Sequence, residues 1–122
     1  MRQKPPARKA FNPTLGKYIL KKGKPVLEHD LLIWARWIEE HQKQCRIGFF
    51  RAGKMWVSTL FLGVDHNYSN EGSPILWETM ISGGKHDGKM WRHTSLAAAR
   101  AGHRRAVEMV KEELAHVKII TE

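Results

Sequence analysis

The chain has one cysteine in 122 residues, Cys45, which excludes an internal disulfide framework and any zinc site built on several thiolates. With no disulfide to form, a reducing cytoplasm is the expected setting. No apolar run approaches the roughly 18 residues of a membrane-spanning helix, so no membrane partner is expected. The first residues are charged without an apolar core and do not read as a secretory signal. Acidic residues are absent from the first 24 positions. Those positions hold Arg2, Lys4, Arg8, Lys9, Lys17, Lys21, Lys22 and Lys24, a charge of +8, whereas residues 25–122 sum to +1. The net charge of +9 therefore belongs to an arm and not to the body. Such an arm suits nucleic-acid phosphates, and equally serves as a solvated tail. Internal repeats, low-complexity tracts and spacings such as His-Glu-x-x-His are also missing.

What is present divides the chain into residues 1–16, a disordered basic arm with Pro5, Pro6 and Pro13, and residues 17–122, a single α+β domain. Residues 17–20 and 25–27 flank Lys21-Lys-Gly-Lys24 as a candidate small hairpin. Asp30 is placed to cap a helix through about His41. Its apolar residues Leu31, Trp34, Ala35 and Ile38, with Ile33 and Trp37 beside them, predict a wide covered stripe. Arg46–Phe50 and Met55–Leu62 around Arg51-Ala-Gly-Lys54 read as an antiparallel hairpin. Its second strand is apolar on both faces and so central. Residues 64–74 form a long polar connection, Ile75–Ser82 the next strand, and Lys89–His93 a fourth after the glycine-flanked loop at 83–88. Thr94 or Ser95 then caps a helix to about Val117, with Leu96, Ala99, His103, Ala106, Val110, Leu114 and Val117 along one stripe. Gly102 interrupts that helix, which predicts close packing against the sheet. The expected architecture is a three- to four-stranded antiparallel sheet with two helices on one face.

Three blocks carry a resemblance: Tyr18-x-Leu20 and Pro25 with Asp30-Leu-Leu-x-Trp-Ala-x-Trp37, Val57-Ser-Thr-Leu-Phe-Leu-Gly-Val-Asp-His-Asn67, and Pro74-Ile-Leu-Trp-Glu-Thr-Met-Ile81, joined by Ser95 and Ala101-Gly-His103 in the last helix. Over about residues 17–110 the chain resembles a group of small proteins encoded by tailed bacteriophages and prophages. The resemblance implies a viral origin and a host-cytoplasmic setting, and carries no activity with it.

Chemistry, if present, is expected around the strand–loop–strand block. Asp65 and His66 follow one buried strand, Glu78 lies in its neighbour, and His103 sits on the apolar stripe of the last helix. Were these four to converge, they would suit a divalent metal or acid–base work on a phosphodiester. The same residues also read structurally, with Asp65 and Asn67 as turn formers, and with a Glu78–His103 pair or a bond from Trp56 to Glu78 in the core.

Five tryptophans are many for this length. They read first as filling a small core and its rim, and otherwise as an exposed sheet face on which Trp77 and Trp91, with Arg92 close by, would stack single-stranded bases. The element order is also that of a double-stranded-RNA-binding domain, but its basic cluster, Arg100, Arg104 and Arg105, falls beyond the helix start where that fold would use it. Two helices on one face leave the other face open, which predicts a homodimer or a bound partner there. The expected function is a small phage accessory protein that acts by binding in the host cytoplasm. Its target would be a host protein, such as a defence component, or nucleic acid. The alternative is a metal-dependent hydrolase using Asp65, His66, Glu78 and His103, which alone would require a divalent metal cofactor.

Overall fold

The computed structural model describes residues 16–69 and 71–121, with side chains as far as Val117. The arm expected over residues 1–16, with Arg2, Lys4, Arg8 and Lys9, lies outside the described residues except for Gly16. The elements run β1 (Tyr18–Lys21), β2 (Lys24–Leu27), α1 (Leu31–Glu40), α2 (Gln42–Cys45), β3 (Arg46–Ala52), β4 (Met55–Phe61), β5 (Trp77–Ser82), β6 (Met90–His93) and α3 (Leu96–Thr121). β1 and β2 form a separate two-stranded hairpin, and β3-β4-β5-β6 form an antiparallel meander with β4 and β5 central. This is the α+β architecture expected from the hydrophobic pattern, with one short helix, α2, added.

Strict alternation sorts the meander into two faces. Val57, Thr59 and Phe61 of β4 and Trp77, Thr79 and Ile81 of β5 are buried under α3. Their register is in phase, with Val57 opposite Ile81, Thr59 opposite Thr79 and Phe61 opposite Trp77. From α3, Ala99, Ala106 and Val110 complete the buried layer. Ser95 Oγ accepts a hydrogen bond from the Ala98 amide at 3.1 Å and caps the helix start.

α1 closes one end of the same face. Trp37 meets Phe61 edge-on at 6.2 Å, and Phe61 in turn packs against Trp77 at 5.6 Å. Asp30 caps this helix by accepting from the Leu32 and Ile33 amides. The Trp34 indole donates to the Gly63 carbonyl at 2.9 Å. At Gly63, whose φ is +72°, a Cβ would come within 2.6 Å of Ile38 Cδ1, so only glycine fits both the turn and the helix. The covered stripe is narrower than expected: Trp34, Trp37 and Ile38 are half-buried, while Leu31, Ile33 and Ala35 are exposed. Among the described residues no helix is long and apolar enough to cross a membrane.

Candidate functional site

The middle of the sheet–helix interface is polar. Thr59 and Thr79, both fully buried, face each other across β4 and β5 with their hydroxyls 2.8 Å apart. His103 of α3 places Nδ1 2.8 Å from the Thr59 hydroxyl, and His93 of β6 places Nε2 3.0 Å from the Thr79 hydroxyl. The result is one chain, His103–Thr59–Thr79–His93. It has three hydrogen bonds and only two hydroxyl protons, so at least one imidazole donates into it. With a single donor the chain has a direction: either His103 donates and His93 accepts, or the reverse.

Two glycines make room for the rings. A Cβ on Gly48 would lie 2.7 Å from His103 Nε2, and a Cβ on Gly102 would lie 2.5 Å from His93 Cε1. Gly102 thus has the close-packing role that its place in a helix implied, and its neighbour is a histidine ring. Gly48 reaches its position through an irregularity in the β3–β4 register between Arg46 and Gly48. Burial pushes both imidazoles below their ordinary pKa, and at His93 the Arg105 guanidinium pushes the same way. Both rings are therefore neutral near pH 7, each with one donor and one acceptor nitrogen.

His93 also borders a cleft of about 200 Å³ between β6 and α3, lined by Trp91, Gly102, Arg105, Ala106 and Met109 together with Arg92. That volume is below the roughly 300–1,000 Å³ of sites that enclose drug-sized ligands. The cleft suits a small group or one end of a longer molecule.

The four residues singled out from the sequence do not converge. Asp65 is buried in the β4–β5 connection, where its Oδ1 accepts from the Asn67 amide at 2.8 Å and the Ile75 amide at 2.9 Å. The nearby Tyr18 phenol is pushed up, first by burial and then by the Asp65 carboxylate. His66 turns Nδ1 to the Val64 carbonyl at 2.8 Å. Glu78 stands opposite Leu60 on the face away from α3 and pairs with Arg92 at 3.3 Å, not with Trp56 or His103. His103 reaches Thr59 from the other side, so the sheet itself separates it from Glu78. Its partner is a hydroxyl rather than a carboxylate. Among the described residues no three His, Cys, Asp or Glu side chains form a group able to hold a metal ion.

The open face differs from expectation in its aromatics. Trp77 is buried under α3, with Nε1 lacking a hydrogen-bond partner among the described residues, and Trp91 is half-buried on the same side. The outward rings are Phe49, 46% exposed, and Trp56, 38% exposed. Pairing arranges this face in cross-strand rows: Arg46–Leu60–Glu78–Arg92, then Phe49–Ser58–Met80–Met90, then Arg51–Trp56–Ser82. Arg46 lies over the Phe49 ring at 4.9 Å. Lys17, Lys21, Lys22 and Lys24 belong to the β1–β2 hairpin and its flank, where Lys17 lies over Trp34 at 5.7 Å.

Sequence reasoning missed Thr59, Thr79 and His93. The available signal was a threonine in the middle of each apolar row, Val57-x-Thr59-x-Phe61 and Trp77-x-Thr79-x-Ile81, facing a helix stripe interrupted by His103. No family model matches the chain, and no curated protein or solved structure is similar to it.

Proposed function

We propose that this chain is a small phage accessory protein that acts by binding in the host cytoplasm, and that its open sheet face holds single-stranded nucleic acid. One observation carries the reading: Phe49 and Trp56 lie half-exposed on neighbouring strands, framed by Arg46 and Arg51, and the one acid in the paired rows, Glu78, is neutralised by Arg92. Flat rings accept any base by stacking, and the guanidiniums meet the phosphates between them. The exposed Leu60, Met80 and Met90 supply apolar contact for sugars and base edges. The basic residues of positions 1–24 would add phosphate contacts of the sequence-independent kind.

The test is fluorescence anisotropy with a mixed-sequence single-stranded oligonucleotide and its duplex. The single strand is expected to bind more tightly. Stacking contributes about 1–3 kcal/mol per base, so Phe49→Ala with Trp56→Ala is expected to weaken binding by at least about tenfold. Removal of residues 1–16 should flatten the dependence of affinity on salt without abolishing the ring-dependent part. The same face is also suited to a second copy of the chain. A stable dimer that Trp56→Ala dissociates, together with no oligonucleotide binding by either form, would replace this reading with a dimer interface.

A further inference from the structure

We propose that the cleft between β6 and α3 is a binding site for a phosphate monoester, with Arg105 meeting its charge and His93 exchanging a hydrogen bond with one of its oxygens. The cleft opens on the α3 side of the sheet and the aromatic rows on the other, with Arg92 of the edge strand bordering both, so the rings Phe49 and Trp56 take no part in this site.

Arg105 lines the cleft and makes no ion pair among the described residues, whereas Arg92 is held by Glu78. A guanidinium left without a carboxylate, beside a neutral imidazole, is a site of uncompensated positive charge. The ring it faces is fixed at its far nitrogen: His93 Nε2 is held by Thr79, while Nδ1 makes no hydrogen bond among the described residues. The groups around His93 are Thr79 on β5, Arg92 on its own strand and Gly102 and Arg105 on α3, none of them acidic.

The charge of Arg105 selects the kind of anion, and the hydroxyl chain adapts its direction to the ligand. When His93 Nε2 accepts from Thr79, Nδ1 carries the proton and needs an acceptor. When the chain runs the other way, Nε2 donates and Nδ1 needs a donor. An ionised carboxylate accepts only and satisfies the first arrangement alone. A phosphate monoester, whose second ionisation lies near pH 6, is mostly the dianion at neutral pH and also accepts only, but it brings about twice the charge and three acceptor oxygens. It sets the first arrangement, meets the uncompensated charge of Arg105 more strongly than a carboxylate does, and offers oxygens that match the planar guanidinium fork. The far end of the chain, His103, would then report a ligand that it does not touch.

The experiment is an NMR titration of the full chain with adenosine monophosphate, following the imidazole nitrogens of His93 and His103, with adenosine and acetate as controls. Saturable binding below about 10 mM with shifts at both histidines is expected, and Arg105→Gln, an exposed position, should weaken it by at least about tenfold. Phe49→Ala with Trp56→Ala should leave it unchanged, which separates this site from the open face. Thr59→Val should keep the response at His93 and abolish it at His103. Should that variant not fold, Arg105→Gln carries the decision alone. A strand end is the source if a 5′-phosphorylated oligonucleotide displaces the monophosphate more effectively than its unphosphorylated twin. A free small molecule is the source if the two are equal. The proposal is overturned if adenosine monophosphate does not saturate, if Arg105→Gln binds it equally, or if adenosine or acetate binds as tightly.

Discussion

Replacing Gly48 with alanine should be costly only while His103 is present. The backbone at Gly48 does not have the positive φ that would strain an alanine, so the objection is purely one of space. The new Cβ would sit 2.7 Å from His103 Nε2, and ordinary contact begins near 3.4 Å, so the ring must retreat by about 0.7 Å. Overpacking of that kind costs about 1–3 kcal/mol. Movement of the ring also stretches its 2.8 Å bond to Thr59, whose loss adds about 1 kcal/mol because Thr59 keeps its second partner, Thr79. The expected total is about 2–4 kcal/mol. In a His103→Ala background the obstacle is gone, and the alanine should be neutral or stabilising by up to about 1 kcal/mol through the unfolded chain. Urea unfolding of the four proteins in this cycle gives the coupling directly, provided the slope of the transition is constant. A cost for Gly48→Ala that is equal in both backgrounds would refute the claim that this glycine exists to seat the imidazole.

Stability should also depend on pH through the two half-buried histidines, His93 and His103. Their folded pKa values lie below the ordinary value near 6.5. The unfolded chain therefore takes up protons first as the pH falls. The urea midpoint should be level above about pH 7 and decline below it, and His93→Gln with His103→Gln should flatten the decline between about pH 7 and 5.5. A wild-type midpoint unchanged over that interval would contradict the assignment. Asp65→Ala should destabilise by about 2–3 kcal/mol because it strands the Asn67 and Ile75 amides, whereas Asp65→Asn, which retains the acceptor oxygen, should cost clearly less in the same unfolding assay. Asp30→Ala should cost about 1 kcal/mol, seen as a lower thermal midpoint, through loss of the bonds to Leu32 and Ile33. Cys45 is buried and its thiol is pushed up by that burial, so a thiol reagent should modify it slowly in the native protein and quickly in urea.

The element order was legible because each element carries its own local signal: Asp30 and Ser95 at helix starts, glycine-containing turns between alternating strands, and a stripe at helical spacing from Leu96 onward. The site was legible only by parts. Alternation places Glu78 and Thr79 on opposite faces, but which face α3 covers depends on long-range pairing that no local window contains. Trp77 was the tryptophan singled out with Trp91 for an exposed face, yet its phase is that of Ile81, and phase decides burial. His103 was visible as a polar residue on an apolar stripe. Its partner was not, because Thr59 and Thr79 are unremarkable strand residues until register sets them opposite each other. Leu31 and Ile33 were misjudged for the complementary reason: amphipathic spacing shows that a helix has an apolar side, not how much of that side its neighbours reach.

The long connection between β4 and β5 is tied at its neck through Ile75 and Leu76, and its exposed tip is gathered around Asn67, which donates to the Glu71 and Ser73 carbonyls and accepts from Ser69. The Leu62 amide donates to the Leu76 carbonyl, the His66 amide to the Ile75 carbonyl, and Asp65 Oδ1 accepts from the Ile75 amide. Beyond that neck Tyr68, Ser69, Glu71, Gly72 and Ser73 are exposed. With the ends already clamped, doubling the length of the tip adds only about 0.6 kcal/mol of closure entropy. The domain therefore carries a natural insertion point. A peptide or small reporter grafted after Tyr68 would give up the Asn67–Ser69 bonds of the tip and be displayed from a fixed stem, while the meander, the hydroxyl chain and both faces of the sheet stay in register.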